Sequence, residues 1–168
     1  MALTNAQLIL LKAEILADPV LSAQPMTPDG AFAIAAAMNL EAVPSYYAWR
    51  TAISESEVTS QTSGEGTTWS WSSYISRSVG EQNGWGRMFS VTGSVNASNP
   101  NIRQGMADIF SGGPGAAQRT HLLAVSKRKA SRIEKLLATG NGALATPSTM
   151  TFEGALAYQE VESARALP

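Results

Sequence analysis

The chain holds one histidine, His121, and no cysteine among its 168 residues, which narrows the chemistry its side chains can perform. For His121 to act as a general base it needs a hydroxyl to deprotonate and a group to orient its ring, and the linear order identifies neither. Its basic neighbours predict instead a histidine on a helix surface or at an interface. One imidazole without thiolates leaves only carboxylates to complete a tetrahedral zinc shell, so no metal site is expected. Glu55, Glu57 and Glu65 offer oxygen ligands for a divalent cation, but their spacing fits no calcium loop and predicts solvated acids. Gly140-Asn141-Gly142-Ala143-Leu144-Ala145 has the letters of a dinucleotide fingerprint. It follows a helix, whereas the fingerprint must follow a strand and open a helix for its amides to face a pyrophosphate, so it predicts a helix stop. With no phosphate loop and no nucleophile elbow, the sequence predicts no catalytic residue and no cofactor. Asn96-Ala97-Ser98 is a glycosylation sequon by letter only.

Charge is the other polar signal. Residues 119–135 hold Arg119, Lys127, Arg128, Lys129, Arg132 and Lys135 against one acid, Glu134, while the whole chain is net −1. On a helix, Arg128, Arg132 and Lys135 share one face at i, i+4 and i+7. Three uses of that face stay open: solvation beside its own helix C-terminus, an electrostatic contact to an acidic face of another subunit, or non-specific phosphate contact with DNA. Trp49, Trp69, Trp71 and Trp85 predict core or interface anchors, with Trp69 and Trp71 divided evenly between the two.

The elements that position these residues are mostly helices. Thr4-Asn5-Ala6-Gln7 is a capping box, after which Leu8, Leu11, Ile15 and Leu16 recur at helical spacing until Pro19. Thr27-Pro28 starts a second helix, in which Ala31 to Met38 is apolar almost all round and so predicts burial by its own fold or by a neighbouring subunit. Ser54-Glu55-Ser56-Glu57 and Ser78-Val79-Gly80-Glu81 are further capping boxes, and Asn99-Pro100 opens a helix that Gly112-Gly113-Pro114 stops. The longest helical stretch is expected from about Gly115 to Thr139, with a kink or restart near Ala130 at the box Ser131-Arg132-Ile133-Glu134. Between Ser54 and Ser78, thirteen of 25 residues are Ser or Thr, predicting a loop. Alternation around Trp69 and Trp71 predicts a strand or hairpin arm near 67–73, and Thr149–Glu153 predicts a second strand in an extended segment over 140–168. The expectation is a mainly α, single-domain helical bundle over 1–168 with a small β element.

Charged residues make up only 15% of the chain, well below the usual quarter, and a surface poor in charge suits repeated contact with other protein. No apolar run approaches the roughly 18 residues of a membrane span, so no membrane partner is expected. Met1-Ala2-Leu3-Thr4 has neither the basic start nor the cleavage site of a signal peptide, predicting synthesis and retention inside a cell until assembly.

Leu3-Thr4-Asn5-Ala6-Gln7-Leu8 with Ala17-Asp18-Pro19 resembles the opening of a family of small structural proteins encoded in tailed-phage and prophage genomes. So do Asp29-Gly30-Ala31-Phe32-Ala33-Ile34-Ala35-Ala36-Ala37-Met38-Asn39 and Trp49-Arg50-Thr51. Towards the end, the likeness takes in Arg132-Ile133-Glu134-Lys135-Leu136-Leu137-Ala138-Thr139-Gly140-Asn141-Gly142, Phe152-Glu153-Gly154 and Glu162-Ser163-Ala164-Arg165-Ala166-Leu167-Pro168. It covers both ends of the sequence well and the centre, from Ser54 to Ser98, poorly. The resemblance implies a non-enzymatic virion protein, made in the bacterial host cytoplasm, acting as a head–tail connector or adaptor (neck) subunit. Such a subunit forms a ring of itself between portal and tail; the other virion roles are capsid decoration, tail completion or tail-fibre association, and a DNA-contacting packaging accessory using 119–135 is a further alternative. Phe32, Ile34, Met38, Trp69, Trp71 and Phe152 are the candidate interface residues, and Arg128, Arg132 and Lys135 the candidate electrostatic contact.

Overall fold

The computed structural model describes residues 2–168. In chain order the elements are α1 (Asn5–Ala17), α2 (Pro19–Ser22), α3 (Pro28–Asn39), β1 (Tyr47–Trp49), β2 (Ile53–Ser54), α4 (Glu55–Ser60), α5 (Trp71–Ile75), α6 (Val79–Ser90), β3 (Ser94–Val95), α7 (Pro100–Ile109), α8 (Ala116–Val125), β4 (Lys127–Lys129), α9 (Arg132–Leu137) and α10 (Tyr158–Ala166). The protein is mainly helical, and its strands make only two-stranded sheets.

Helix starts follow the side-chain chemistry of the sequence. At Thr4, Ser54, Ser78 and Ser131 the hydroxyl accepts from the N3 amide, and the N3 Gln or Glu accepts from the cap amide in return, satisfying two otherwise unpaired donors. Asp18 ends α1 and caps α2 by accepting from Val20 and Leu21. Three expected elements differ. Residues 67–73 form no strand: Thr67–Ser70 is irregular, and Ser70 caps the helix α5 by accepting from the Ser73 amide. At 148–153 there are two isolated bridges, Ala48 to Ser148 and Thr139 to Thr149, and no strand. The long helix expected over 115–139 is two short ones, α8 and α9, with Lys127–Lys129 extended between them; the restart at Ser131 falls where its capping box predicts.

The described residues divide into two compact units, one up to Ala48 and from Lys129 onward, the other Trp49–Arg128; the sequence expectation of one domain does not anticipate this. In the first unit α10 packs on both α1 and α3, and α9 does the same. Leu11 and Ile15 of α1, Ile34 and Met38 of α3, Ile133 of α9 and Val161 of α10 share its core. After α9 the chain turns through Gly140-Asn141-Gly142, three residues later than the helix stop itself. Gly142 has φ +61, and a Cβ there would overlap the Tyr46 ring. That ring is held in place by its hydroxyl, 2.9 Å from the Gly140 carbonyl and 2.7 Å from Ser148 Oγ.

In the second unit β2 pairs antiparallel with β3 in the register Ile53 to Val95 and Ser54 to Ser94. The core there gathers Ile53, Val58, Trp85, Phe89, Phe110 and Leu122.

Leu11 is fully buried, so Leu11→Ala should lower stability by about 3 kcal/mol, read by urea denaturation. Gly142→Ala should cost about 2–3 kcal/mol from backbone strain and overlap with Tyr46. Gly154→Ala, also at positive φ but facing open space, should cost about 1 kcal/mol.

Candidate functional site

His121 lies in α8 with no exposed surface, not on the helix exterior as its neighbours suggest. Its Nε2 is 2.8 Å from the Val58 carbonyl, which can only accept, so Nε2–H donates. In a neutral ring Nδ1 then accepts from the Thr67 hydroxyl at 3.0 Å. Thr67 Oγ1 is in turn 2.7 Å from Ser63 Oγ, which accepts the amides of Glu65 and Thr67. One turn back on α8, the fully buried Gln118 accepts the Ser70 amide at 3.0 Å. Two buried polar side chains of one helix thus fix the Ser/Thr-rich loop between α4 and α5. Both His121 ring nitrogens and the Gln118 carbonyl are paired, which burial makes necessary, whereas Gln118 Nε2 and the neighbouring Trp69 Nε1 are buried without a hydrogen-bond partner among the described residues.

The basic stretch does not make one helix face. Arg128 sits in β4, whereas Arg132 and Lys135 are in α9, so the i, i+4, i+7 geometry expected of them is absent. Most of these cations meet partners within the chain. Arg132 bridges Glu14 and Asp18 at 2.7 Å each, and Lys129 meets Glu41 at 2.7 Å. Lys127 meets Glu65 at 2.7 Å, and Arg119 donates to the carbonyls of Phe110 and Gly112. The Arg132 guanidinium, then the Leu21 and Val20 amides, hold the Asp18 carboxyl below its usual range. Lys135 lines a groove of about 670 Å³ in the first unit, with Glu14, Ala37, Leu40 and Leu136.

The acids are not simply solvated. Glu55 Oε1 accepts from the Trp85 indole at 2.8 Å, and Glu65 pairs with Lys127. Glu57 closes the α4 capping box and pairs with Arg50; the Arg50 hydrogen bond and then the Ser54 amide lower its carboxyl from 4.5 to about 2. Among the described residues no group of three or more His, Cys, Asp or Glu side chains could hold a metal ion, and no helix is long and apolar enough to cross a membrane.

Of the six candidate interface residues, four belong to the chain's own cores. Ile34 and Met38 are fully buried on the side of α3 that meets α9 and α10, and Phe152 is buried in the same core. Trp69 is half-buried among Trp85, Phe110 and Tyr74, with ring centroids 5.1–5.8 Å apart. Phe32 and Trp71 remain outside, 54% and 55% exposed. Phe32 stacks on Tyr158 at 4.0 Å and so keeps one ring face free.

The structure adds a surface that the sequence reading passed over. On α1, Leu16 is 66% exposed rather than part of the core, and Ile9 and Leu10 are exposed with it. Their spacing against Leu11 and Ile15 is the signal that separates the two faces.

No protein-family model, curated protein or solved structure matches the chain.

Glu57 is ionised in the fold down to about pH 2, so its contribution is present above its ordinary value of 4.5 and fades as pH falls toward 2. Glu57→Gln preserves the capping box and removes the charge. It should destabilise the protein by roughly 1 kcal/mol at pH 7, with the difference from wild type vanishing near pH 2 in denaturant titrations.

Proposed function

We propose that the chain is a non-catalytic structural protein of a tailed-phage virion, a head–tail connector subunit that forms a homo-oligomeric ring between portal and tail. One observation carries this reading. The stretches with the phage-family likeness come mostly from the two ends of the sequence, and both ends fold together into the first unit, whereas Ser54–Ser98 lies wholly in the second. Most of the likeness thus falls in one unit of packing, with Trp49-Arg50-Thr51 in the other.

Assembly is supported by what that unit leaves uncovered. Leu16, Phe32 and Leu40 are all more than half exposed, in a chain where only 15% of residues are charged. Exposed apolar area of this kind marks contact with other protein. A ring of identical subunits joins one surface of each copy to a different surface of the next. The partners in this reading are other copies of the chain and the portal and tail proteins, and the protein travels from the host cytoplasm into the virion. DNA contact is disfavoured, because Lys127, Lys129 and Arg132 already meet carboxylates.

Electron microscopy of the purified protein, alone and mixed with portal or tail components, should show closed rings. A protein that stays monomeric in both samples and is absent from purified virions contradicts the reading.

A further inference from the structure

The first unit leaves two helix faces without a partner. On α1 the side opposite Leu11 and Ile15 holds Ala6, Ile9, Ala13 and Leu16, all exposed and spaced alternately three and four apart. Val20 in α2 continues the line. On α3 the side opposite Ile34 and Met38 holds Phe32, which has one ring face on Tyr158, and Ala36; Leu40, the extended C-cap, follows four residues on, and all three are exposed. A solvated helix normally places its charges on this side. Here α1 has none along the stripe, and α3 has only Asp29, in its first turn.

Within one chain the two faces do not cover each other, since the residues of both stay exposed. We propose that they cover each other between copies: the outer face of α1 in one subunit packs on the outer face of α3 in the next. The proposal rests on the ring-assembly reading and names its contact. Small Ala6 and Ala13 alternate with large Ile9 and Leu16, giving recesses for Phe32 and Leu40, as ridge-and-groove packing requires.

A second copy of this chain is the fitting occupant. Neither stripe carries a row of charges to recruit an ionic partner; charge lies only at the ends of the α3 stripe, at Asp29 and in the Glu14, Glu41, Arg132 and Lys135 groove beside Leu40. Apposing them, with Leu10, Val20 and Val43 at the margins, would bury on the order of 1,000 Å² in total, the threshold for a specific interface. Because the two surfaces differ, the contact is heterologous. It repeats from copy to copy and closes when the turn per subunit divides the circle.

The cysteine-free sequence gives a clean test. A13C and A36C are made in separate chains, both at exposed alanines, and treated with a short thiol cross-linker alone and mixed. The mixture should give at least tenfold more linked dimer than either variant alone. Leu16→Glu should keep the wild-type circular dichroism and melting curve while losing the oligomer in native mass spectrometry. A13C linking to itself as efficiently as to A36C, or Leu16→Glu still forming rings, overturns the proposed contact. Wild-type rings with no cross-link in the mixture also overturn it and leave the ring reading standing. A wild-type protein that is monomeric under every condition removes both.

Discussion

The placement of α10 between α1 and α3 is the constraint on which the first unit depends. Glu160 accepts from the amides of both Leu3 and Ala157, tying the start of the last helix to the start of the chain. The Asn39 side chain donates to the Leu156 carbonyl and accepts from its amide. At the far end Lys12 donates to the Leu167 carbonyl, and Arg165 to those of Gln24 and Pro25. Apart from the local Ala157 bond, these span more than a hundred residues of sequence, and Val161 and Ala164 lie in the shared core. A short helix such as α10 has little stability of its own, so its docking is a tertiary matter. With it in place, α1 and α3 are held apart and each turns one apolar face inward and one outward.

The outward faces make sense of the composition. A monomer with 15% charged residues and a helix as apolar as α1 is poorly protected against association. Association is the expected behaviour if those faces have a defined place to go. The second unit solves a different problem. Its loop between α4 and α5 is Ser/Thr-rich and has few apolar side chains with which to anchor itself. His121 and Gln118 supply buried polar partners in their place, and the Trp69 ring packs on Trp85 and Phe110. The loop is thereby fixed by polar pairing and by a single large apolar side chain of its own, Trp69.

Much of the helical framework was legible because capping is local. Thr4, Thr27, Ser54, Ser78, Asn99 and Ser131 each satisfy amides within three residues, so the sequence contains the whole interaction. The small β element is present but elsewhere than expected, because alternation around Trp69 and Trp71 reflects an aromatic cluster and a Ser70 cap, not a pleated strand. His121 was misplaced because its partners Val58 and Thr67 are 63 and 54 residues away. The basic stretch was misread likewise, since Arg132 finds Glu14 and Asp18 across more than a hundred residues. On α3 the apolar run was visible, but which side met α9 and α10 was not, so Ile34 and Met38 were grouped with Phe32. The α1 stripe was available in principle. Grouping Leu8, Leu11, Ile15 and Leu16 as one run hid the difference between the inward pair and Leu16.

The central claim is that the outer faces of α1 and α3 become covered when copies assemble. Hydroxyl-radical footprinting across a concentration series tests it directly, with Val91 in the second unit, 89% exposed, as an internal reference. Leu16 and Phe32 should lose reactivity together as the oligomer forms, while Val91 stays unchanged. If Leu16 and Phe32 remain as reactive in the oligomer as in the dilute protein, the faces are not the contact and the account is contradicted.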